Sequence, residues 1–411
     1  MADVYIIGAG MIRFGNYPEY TVDAMAKAAA RLAIKEAALT PGDLQAVFFS
    51  NTFWGLFSNQ HAIRGQVALR DMDLEAIPII NVENACAGGA TALHMAHMAI
   101  RSGMHDVVLA LGAEKNSDAG ARAVKDARRS LTDVNNIEGQ LRRMEAYHRE
   151  LMTDAALPDC ARTKNNVLIT THALGPKWHM SRFGSTVKQL AAISAKNYAH
   201  GAINPMARYH RKISQEEIMA EPSLFYPLTP SMCAKTGDGA AAVILCSPAY
   251  LNNHRTGRKV KIIASVLGSG MDRDLDDESL GERLAKTAYE MAGVGPLDID
   301  LAELHDATAY EELHQTEVLG FCPLGEGGLY AESGATRLGG DKPVNPSGGL
   351  ESRSHPTGAT GLAQVIEIYN QLRHTSGNRQ VEGARIGLSL NQGGSMGLEE
   401  AAMGIHILEG F

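Results

Sequence analysis

The chain has 411 residues, a formal net charge of −8, and is 45% hydrophobic and 20% charged. This is an ordinary globular composition with room for two domains or one large one, and the acidic balance speaks against a nucleic-acid binder, which carries a basic stripe. No run of about 20 apolar residues is present to span a membrane, and Met1–Ala30 lacks the charged and apolar regions of a signal peptide.

Five cysteines, Cys86, Cys160, Cys233, Cys246 and Cys322, form no CxxC pair. Neither a disulfide framework nor a structural metal site is expected, and the expected location is the reducing cytoplasm.

In chain order, Val4–Ile7 reads as a strand leading into Gly8-Ala9-Gly10. A dinucleotide loop is rejected there, because the third glycine and the following helix pattern are missing. Thr21–Leu39 has a helical pattern, Val47–Ser50 reads as a strand, and Ile77–Val82 as a buried strand. Small residues from Ala85 to Ala90 then open a helix to about Arg101, and Asp106–Leu111 is a strand. This alternation predicts a mostly parallel sheet covered on both faces.

The rhythm breaks between about Lys115 and Tyr226, where Arg128–Arg149 and Thr186–His200 read as helices. So long an interruption predicts an inserted loop domain. The strand pattern resumes at Gly239–Cys246 and continues with strands at Val260–Val266, Ile299–Leu304, Ile386–Leu390 and Ala402–Leu408. Helices are expected at Leu280–Ala292, Ala309–Leu319 and Gly361–Leu372. The two halves share an order of elements, and in each a helix starts from a run of tiny residues. An internal duplication is the reading, with chance likeness between two α/β halves as the alternative.

Four segments carry candidate chemistry. Cys86 lies between a strand and a helix N-terminus, where free N–H groups and the helix dipole favour a thiolate; a small cysteine packed in a tight turn reads equally well. His355, in Ser354-His355-Pro356-Thr357-Gly358-Ala359-Thr360-Gly361, precedes a second glycine-rich helix start, with Pro356 suited to a first helical position. His305, in Glu303-Leu304-His305-Asp306-Ala307-Thr308, ends a strand, where α/β sheets place ligands. Asn391-Gln392-Gly393-Gly394-Ser395 follows another strand and offers backbone N–H groups for an oxyanion hole.

These four segments, in this order, resemble the thiolase superfamily over nearly the whole chain, and His305-Asp306 is similar to its sterol-carrier-protein branch. The resemblance implies an α/β thiolase fold: two duplicated βαβαβαββ halves in five layers (αβαβα) with an inserted loop domain. The boundaries expected are 1–114 with 227–250, 115–226 for the insert, and 251–411. It also implies roles. Cys86 accepts the acyl group, His355 deprotonates it, and His305 with His355 holds the thioester oxygen of the second substrate. The N–H groups of Cys86 and Gly393 hold the acyl carbonyl. Ser347, Gly348 and Asn391 are expected to touch substrate. For Trp178, His179 and Met180, in the insert, substrate lining and plain packing both remain open.

One departure stands out. The family's second, acid–base cysteine is replaced by Asn391, and the sterol-carrier-protein alternative by Ala307. Neither can shuttle a proton at neutral pH. The remaining candidates are His355, His305, the CoA thiol and, weakly, Cys322, which reads better as a structural residue.

The expected activity is CoA-dependent thiolysis of a 3-oxoacyl-CoA, or the reverse condensation, through a Cys86 acyl-enzyme. Coenzyme A is then a substrate, and no permanently bound cofactor is expected. The resemblance extends to thiolase subunits of benzoylsuccinyl-CoA type in aromatic degradation, which implies a possible small zinc-ribbon/OB-fold partner beside a homodimer or tetramer. A thiolase-like C-acyltransferase, a retro-aldolase acting on a CoA ester, and a non-catalytic CoA-ester or lipid-binding scaffold are the alternatives.

Overall fold

The computed structural model describes residues 2–74, 76–117, 119–151, 167–253 and 259–411. Cys160 lies outside them, as does part of the expected insert. The described residues contain nine strands: β1 (Tyr5–Met11), β2 (Ala46–Ser50), β3 (Ile79–Val82), β4 (Val107–Glu114), β5 (Gly239–Cys246), β6 (Val260–Ser269), β7 (Leu301–Glu303), β8 (Ile386–Gly393) and β9 (Ala402–Gly410). Their order is β3-β2-β4-β5-β1-β6-β9-β8-β7.

The duplication is visible in that order. The first half runs β3-β2-β4-β5-β1, and the second repeats it as β7-β8-β9-β6. The counterpart of β3 is reduced to one bridge, Ala302 to Val344. Parallel pairs (β2 with β4, β7 with β8) and antiparallel ones (β4 with β5, β8 with β9) recur at matching places. The halves are joined edge to edge through Tyr5–Lys261 and Ile6–Val260, so they form one continuous sheet.

Three hydrophobic clusters define the layers. The Val22–Glu36 helix packs one face of the first half, and the Leu280–Ala292 helix packs the corresponding face of the second. Between the halves lie the Gly88–Arg101 and Thr360–Leu372 helices, whose apolar side chains share a cluster with β4, β5, β7 and β9. This is the five-layer arrangement expected. Strands β4 and β5 are buried along their whole length because helices cover both faces.

Some local readings are corrected. β1 continues through Gly8-Ala9-Gly10, and these glycines serve close packing. A Cβ on Gly8 or Gly10 would lie 2.5 Å from a backbone oxygen of the Val22–Glu36 helix. β3 is a half-exposed edge strand, not a buried one, because only β2 pairs with it. Arg128–Arg149 is two helices, Ala121–Arg129 and Ile137–Leu151. The described part of the 115–226 segment is largely helical, and two of its helices, Val167–Phe183 and Val187–Ala202, pack towards the Ala309–Val318 helix.

Candidate active site

Cys86 sits in a short 3-10 turn, Ala85–Ala87, that leads directly into the Gly88–Arg101 helix. Ala85 has φ +50°, a left-handed conformation that costs an alanine energy and marks a sharply turned loop. The Glu83 side chain accepts the Ala85 N–H at 2.6 Å, and Thr52 Oγ1 donates to the Ala85 carbonyl at 3.2 Å. The sequence suggests a thiolate here; the surroundings favour the thiol. Burial, with the carboxylates of Glu114 and Glu83 nearby, pushes Cys86 up to about 12 against the backbone N–H groups of Cys86 and Gly394. An external base is therefore required.

His355 is the nearby candidate for that base. Ser354 before it takes φ +91°, another strained position, and its hydroxyl donates to the Lys235 carbonyl at 2.8 Å. The His355 N–H bonds the same carbonyl at 2.8 Å. His355 Nδ1 lies 2.7 Å from Thr360 Oγ1, which donates to the Pro356 carbonyl at 2.9 Å. A hydroxyl has one proton. With that proton spent on Pro356, Thr360 accepts from His355 Nδ1–H, which leaves the Nε2 lone pair free. Burial, with Arg353 beside it, pulls His355 down to about 4, so it is a neutral base at pH 7. Pro356 lies in the turn rather than at the first helical position, since the helix starts at Thr360.

The tautomer of His305 is opposite. Its Nδ1 lies 2.9 Å from Asn391 Nδ2, an amide donor, so Nδ1 accepts and Nε2 carries the proton. Gln315 clamps the His305 backbone on both sides, accepting its N–H at 2.9 Å and donating to its carbonyl at 3.0 Å. Burial and the neighbouring His355 and His172 hold His305 well below the ordinary imidazole value, so it donates a hydrogen bond without being charged. The His305 and His355 rings are T-shaped, with centroids 5.2 Å apart.

The Cys86 sulfur and a nitrogen from each of His305 and His355 all lie within 4.8 Å of one another. They share a cavity of about 250 Å³ whose lining also includes Phe53, Leu131, Gly393 and Gly394. Arg128 reaches the same cavity, which brings one member of the predicted charge run to the site. Glu114 ties the loops together, accepting N–H groups from Thr52 at 2.9 Å, Phe53 at 3.0 Å and Gly358 at 3.1 Å. Burial pushes it up to about 7 despite those bonds.

Several residues expected to touch substrate are placed otherwise. Ser347 is buried, with its N–H and hydroxyl on Glu303 at 2.9 and 2.7 Å. Gly348 packs against Gly201 with φ +97°. Neither lines the cavity. Asn391 is fully buried and reaches the site only through His305. Gly393, by contrast, packs on the Cys86 backbone, where an added Cβ would lie 2.6 Å from Cys86 N, and it lines the cavity together with Gly394. His179 is buried against Glu317 at 3.0 Å and Ser185 at 2.6 Å. Trp178 lines a neighbouring cavity, and Met180 lines neither. Cys322, near Thr316, is also outside the catalytic cavity.

From the Val167–Phe183 helix the residues that do line the cavity are Leu168, Thr171 and His172. His172 Nδ1 lies 2.6 Å from Glu311 Oε1. Sequence reasoning passed over both, because a helix position six residues before Trp178 has no local motif. Only the packing of the Val167–Phe183 helix on the Ala309–Val318 helix brings them together.

With this geometry in view, comparison with known proteins places the chain. The thiolase N-terminal domain family matches residues 4–220, and the thiolase C-terminal domain-like family matches residues 271–406. The chain is 37% identical over 402 residues to acetyl-CoA acetyltransferase of Methanothermobacter thermautotrophicus, covering 97% of this chain and 98% of that protein. It is 35% identical to sterol carrier protein 2 of Bos taurus (95% of this chain, 70% of that protein) and 31% to benzoylsuccinyl-CoA thiolase subunit BbsB of Thauera aromatica (92% and 91%). Its fold is similar to that of the Ltp2-ChsH2(DUF35) aldolase, with TM-score 0.77 at 20% identity over 99% of this chain and 97% of that one. The chain belongs to the thiolase family, in a sterol-carrier-protein-thiolase-like branch, and is an acyltransferase of that family.

Proposed function

We propose that this thiolase-family acyltransferase cleaves a 3-oxoacyl-CoA with coenzyme A, or runs the reverse condensation, through an acyl-enzyme on Cys86. The carrying observation is the convergence of Cys86, His305 and His355 within 4.8 Å in one cavity. His355 Nε2 takes the Cys86 proton, and the sulfur attacks the 3-oxo carbon. The N–H groups of Cys86 and Gly393 receive the developing oxyanion, while His305 Nε2–H faces the thioester oxygen of the leaving acetyl-CoA unit. An acyl-enzyme splits one difficult C–C cleavage into two easier steps. Each oxyanion donor contributes about 3 kcal/mol in such sites.

The insert expected at 115–226 is assigned a substrate-covering role, supported by Arg128, Leu168, Thr171 and His172 in the cavity wall. A second subunit beside a homo-oligomer is part of the same reading, supported by one relative being called a thiolase subunit. Coenzyme A is a substrate, and no resident cofactor is assigned. No helix among the described residues is long and apolar enough to cross a membrane.

Mass spectrometry after incubation with acyl-CoAs tests the reading. A covalent acyl group on Cys86, lost on adding free CoA and absent in Cys86→Ala, is expected. Turnover of a CoA ester that persists in Cys86→Ala favours retro-aldol cleavage instead. Binding without turnover in either protein favours a CoA-ester-binding scaffold.

A further inference from the structure

A 3-oxoacyl-CoA cannot be cleaved without protonating the departing carbanion. Asn391 and Ala307 stand where this family's acid–base cysteines are expected, and neither titrates. Cys322 and Cys233 do not line the cavity. His305 and His355 are both occupied, one as an oxyanion donor and the other as the base for Cys86.

The cavity wall opposite these loops offers another group. His172, on the Val167–Phe183 helix, faces the same cavity as Cys86, His305 and His355. Its Nδ1 is engaged by Glu311 at 2.6 Å, which leaves Nε2 for a ligand. Glu311 is buried at the start of the Ala309–Val318 helix and is also held by the Thr308 hydroxyl. A histidine oriented and charge-stabilised by a buried carboxylate is a common acid–base unit. The charged groups facing it are Glu311 and Glu400, with His305 across the cavity. Burial pulls the imidazole down, yet the two carboxylates outweigh it, so His172 lies above its ordinary value while Glu311 lies below its own. The carboxylates thus favour the protonated imidazole, and the imidazole favours the ionised Glu311.

We propose that His172, oriented by Glu311, is the catalytic acid–base residue that takes over the role of the missing second cysteine. This rests on the Cys86 acyl-enzyme reading above. In the first half-reaction the Cys86 proton passes to His355, the sulfur bonds the acyl carbon, and the C–C bond breaks. The released electron pair takes the proton from His172 Nε2, forming the methyl group of acetyl-CoA. In the second, His172 takes the proton of the incoming CoA thiol as its sulfur attacks the thioester, and His355 returns its proton to Cys86. Both histidines end as they began.

The test uses a difference between leaving groups. Acylation of Cys86 by acetyl-CoA expels a thiolate, whose conjugate acid has a pKa of about 8.5 and which depends far less on an acid. Cleavage of acetoacetyl-CoA expels a carbanion that needs one. In His172→Gln, thiolysis and deuterium incorporation from D2O into the methyl of acetyl-CoA are expected to fall about 10²- to 10⁴-fold. Acetylation of Cys86 by acetyl-CoA, the reverse of the step in which His172 takes the CoA proton, is expected to fall far less than thiolysis, and the remaining adduct, read by mass spectrometry, shows that the variant is folded. Glu311→Gln is expected to show the same selective loss more weakly, with the pH dependence of thiolysis shifted to lower pH. Thiolysis within about threefold of wild type in His172→Gln, or equal loss of acetylation and thiolysis in both variants, overturns the proposal. Absence of any Cys86 adduct in the wild-type protein instead overturns the acyl-enzyme reading.

Discussion

Thr360 Oγ1 stands 2.7 Å from His355 Nδ1 and donates to the Pro356 carbonyl at 2.9 Å. This pair of bonds sets the tautomer: a hydroxyl already donating can only accept from the imidazole, so the lone pair of His355 is left on Nε2. Thr360 thus acts through His355 and is a positioning residue. Thr360→Val removes the acceptor and frees the other tautomer. We expect kcat for thiolysis to fall about 10²-fold with KM little changed. Thr360→Ser, which keeps the hydroxyl, is expected to recover most of the loss in steady-state assays.

The thiol of Cys86 is pushed up to about 12, first by burial and then by Glu114 and Glu83. Below that value the neutral form dominates, and the thiolate fraction rises about tenfold per pH unit. Alkylation by iodoacetamide is therefore expected to climb at that rate between pH 7 and 10 with no plateau. A plateau near neutral pH, measured by adduct mass against time, would show a resting thiolate–imidazolium pair and contradict this setting.

Asn391 donates its amide to His305 Nδ1 at 2.9 Å and so keeps the ring proton on Nε2. Asn391→Asp replaces that donor with an acceptor. His305 is expected to turn its proton to Nδ1, lose its hydrogen bond to substrate, and gain affinity for a second proton. Thiolysis is expected to fall about 10²- to 10³-fold. A new limb in the pH–rate profile above the pH at which wild-type His305 titrates checks the tautomer argument. An unchanged profile with unchanged kcat would remove Asn391 from the mechanism.

The His355 loop lies directly on β4. A Cβ on Gly112 would sit 2.1 Å from the Gly358 carbonyl oxygen, with backbone and not a flexible side chain in the way. Gly112→Ala is therefore expected to destabilise the fold by about 1–3 kcal/mol through overpacking. Because Gly358 closes the turn that begins at His355, activity is expected to fall as well. Denaturant unfolding and thiolysis rates measured on the same preparation separate the two effects.

Much of the site was legible in the residues. Cys86, His305 and His355 each sit at the end of a strand or the start of a glycine-rich turn, and the tiny residues beside them mark close approach. What misled was the neighbourhood. The helix start at Gly88 suggests a thiolate, but burial and two carboxylates win over the backbone donors. Ser347 and Gly348 stand close to His355 in sequence, yet they serve a buried bond to Glu303 and a contact with Gly201. Trp178, His179 and Met180 are conspicuous in composition, yet one faces the neighbouring cavity, another is locked to Glu317, and none faces Cys86.

By itself, the sequence determined the alternating elements, the repeat of one half by the other, and the three loops that converge on the cavity. These are short-range properties, carried by hydrophobic period, glycine and strand-end position. Only the tertiary structure decided which ring nitrogen of His355 and of His305 carries the proton, because a tautomer depends on partners such as Thr360 and Asn391. It also decided that His172 meets Glu311, 139 positions away along the chain. No local pattern encodes that meeting, which exists because the Val167–Phe183 helix packs on the helix that follows His305.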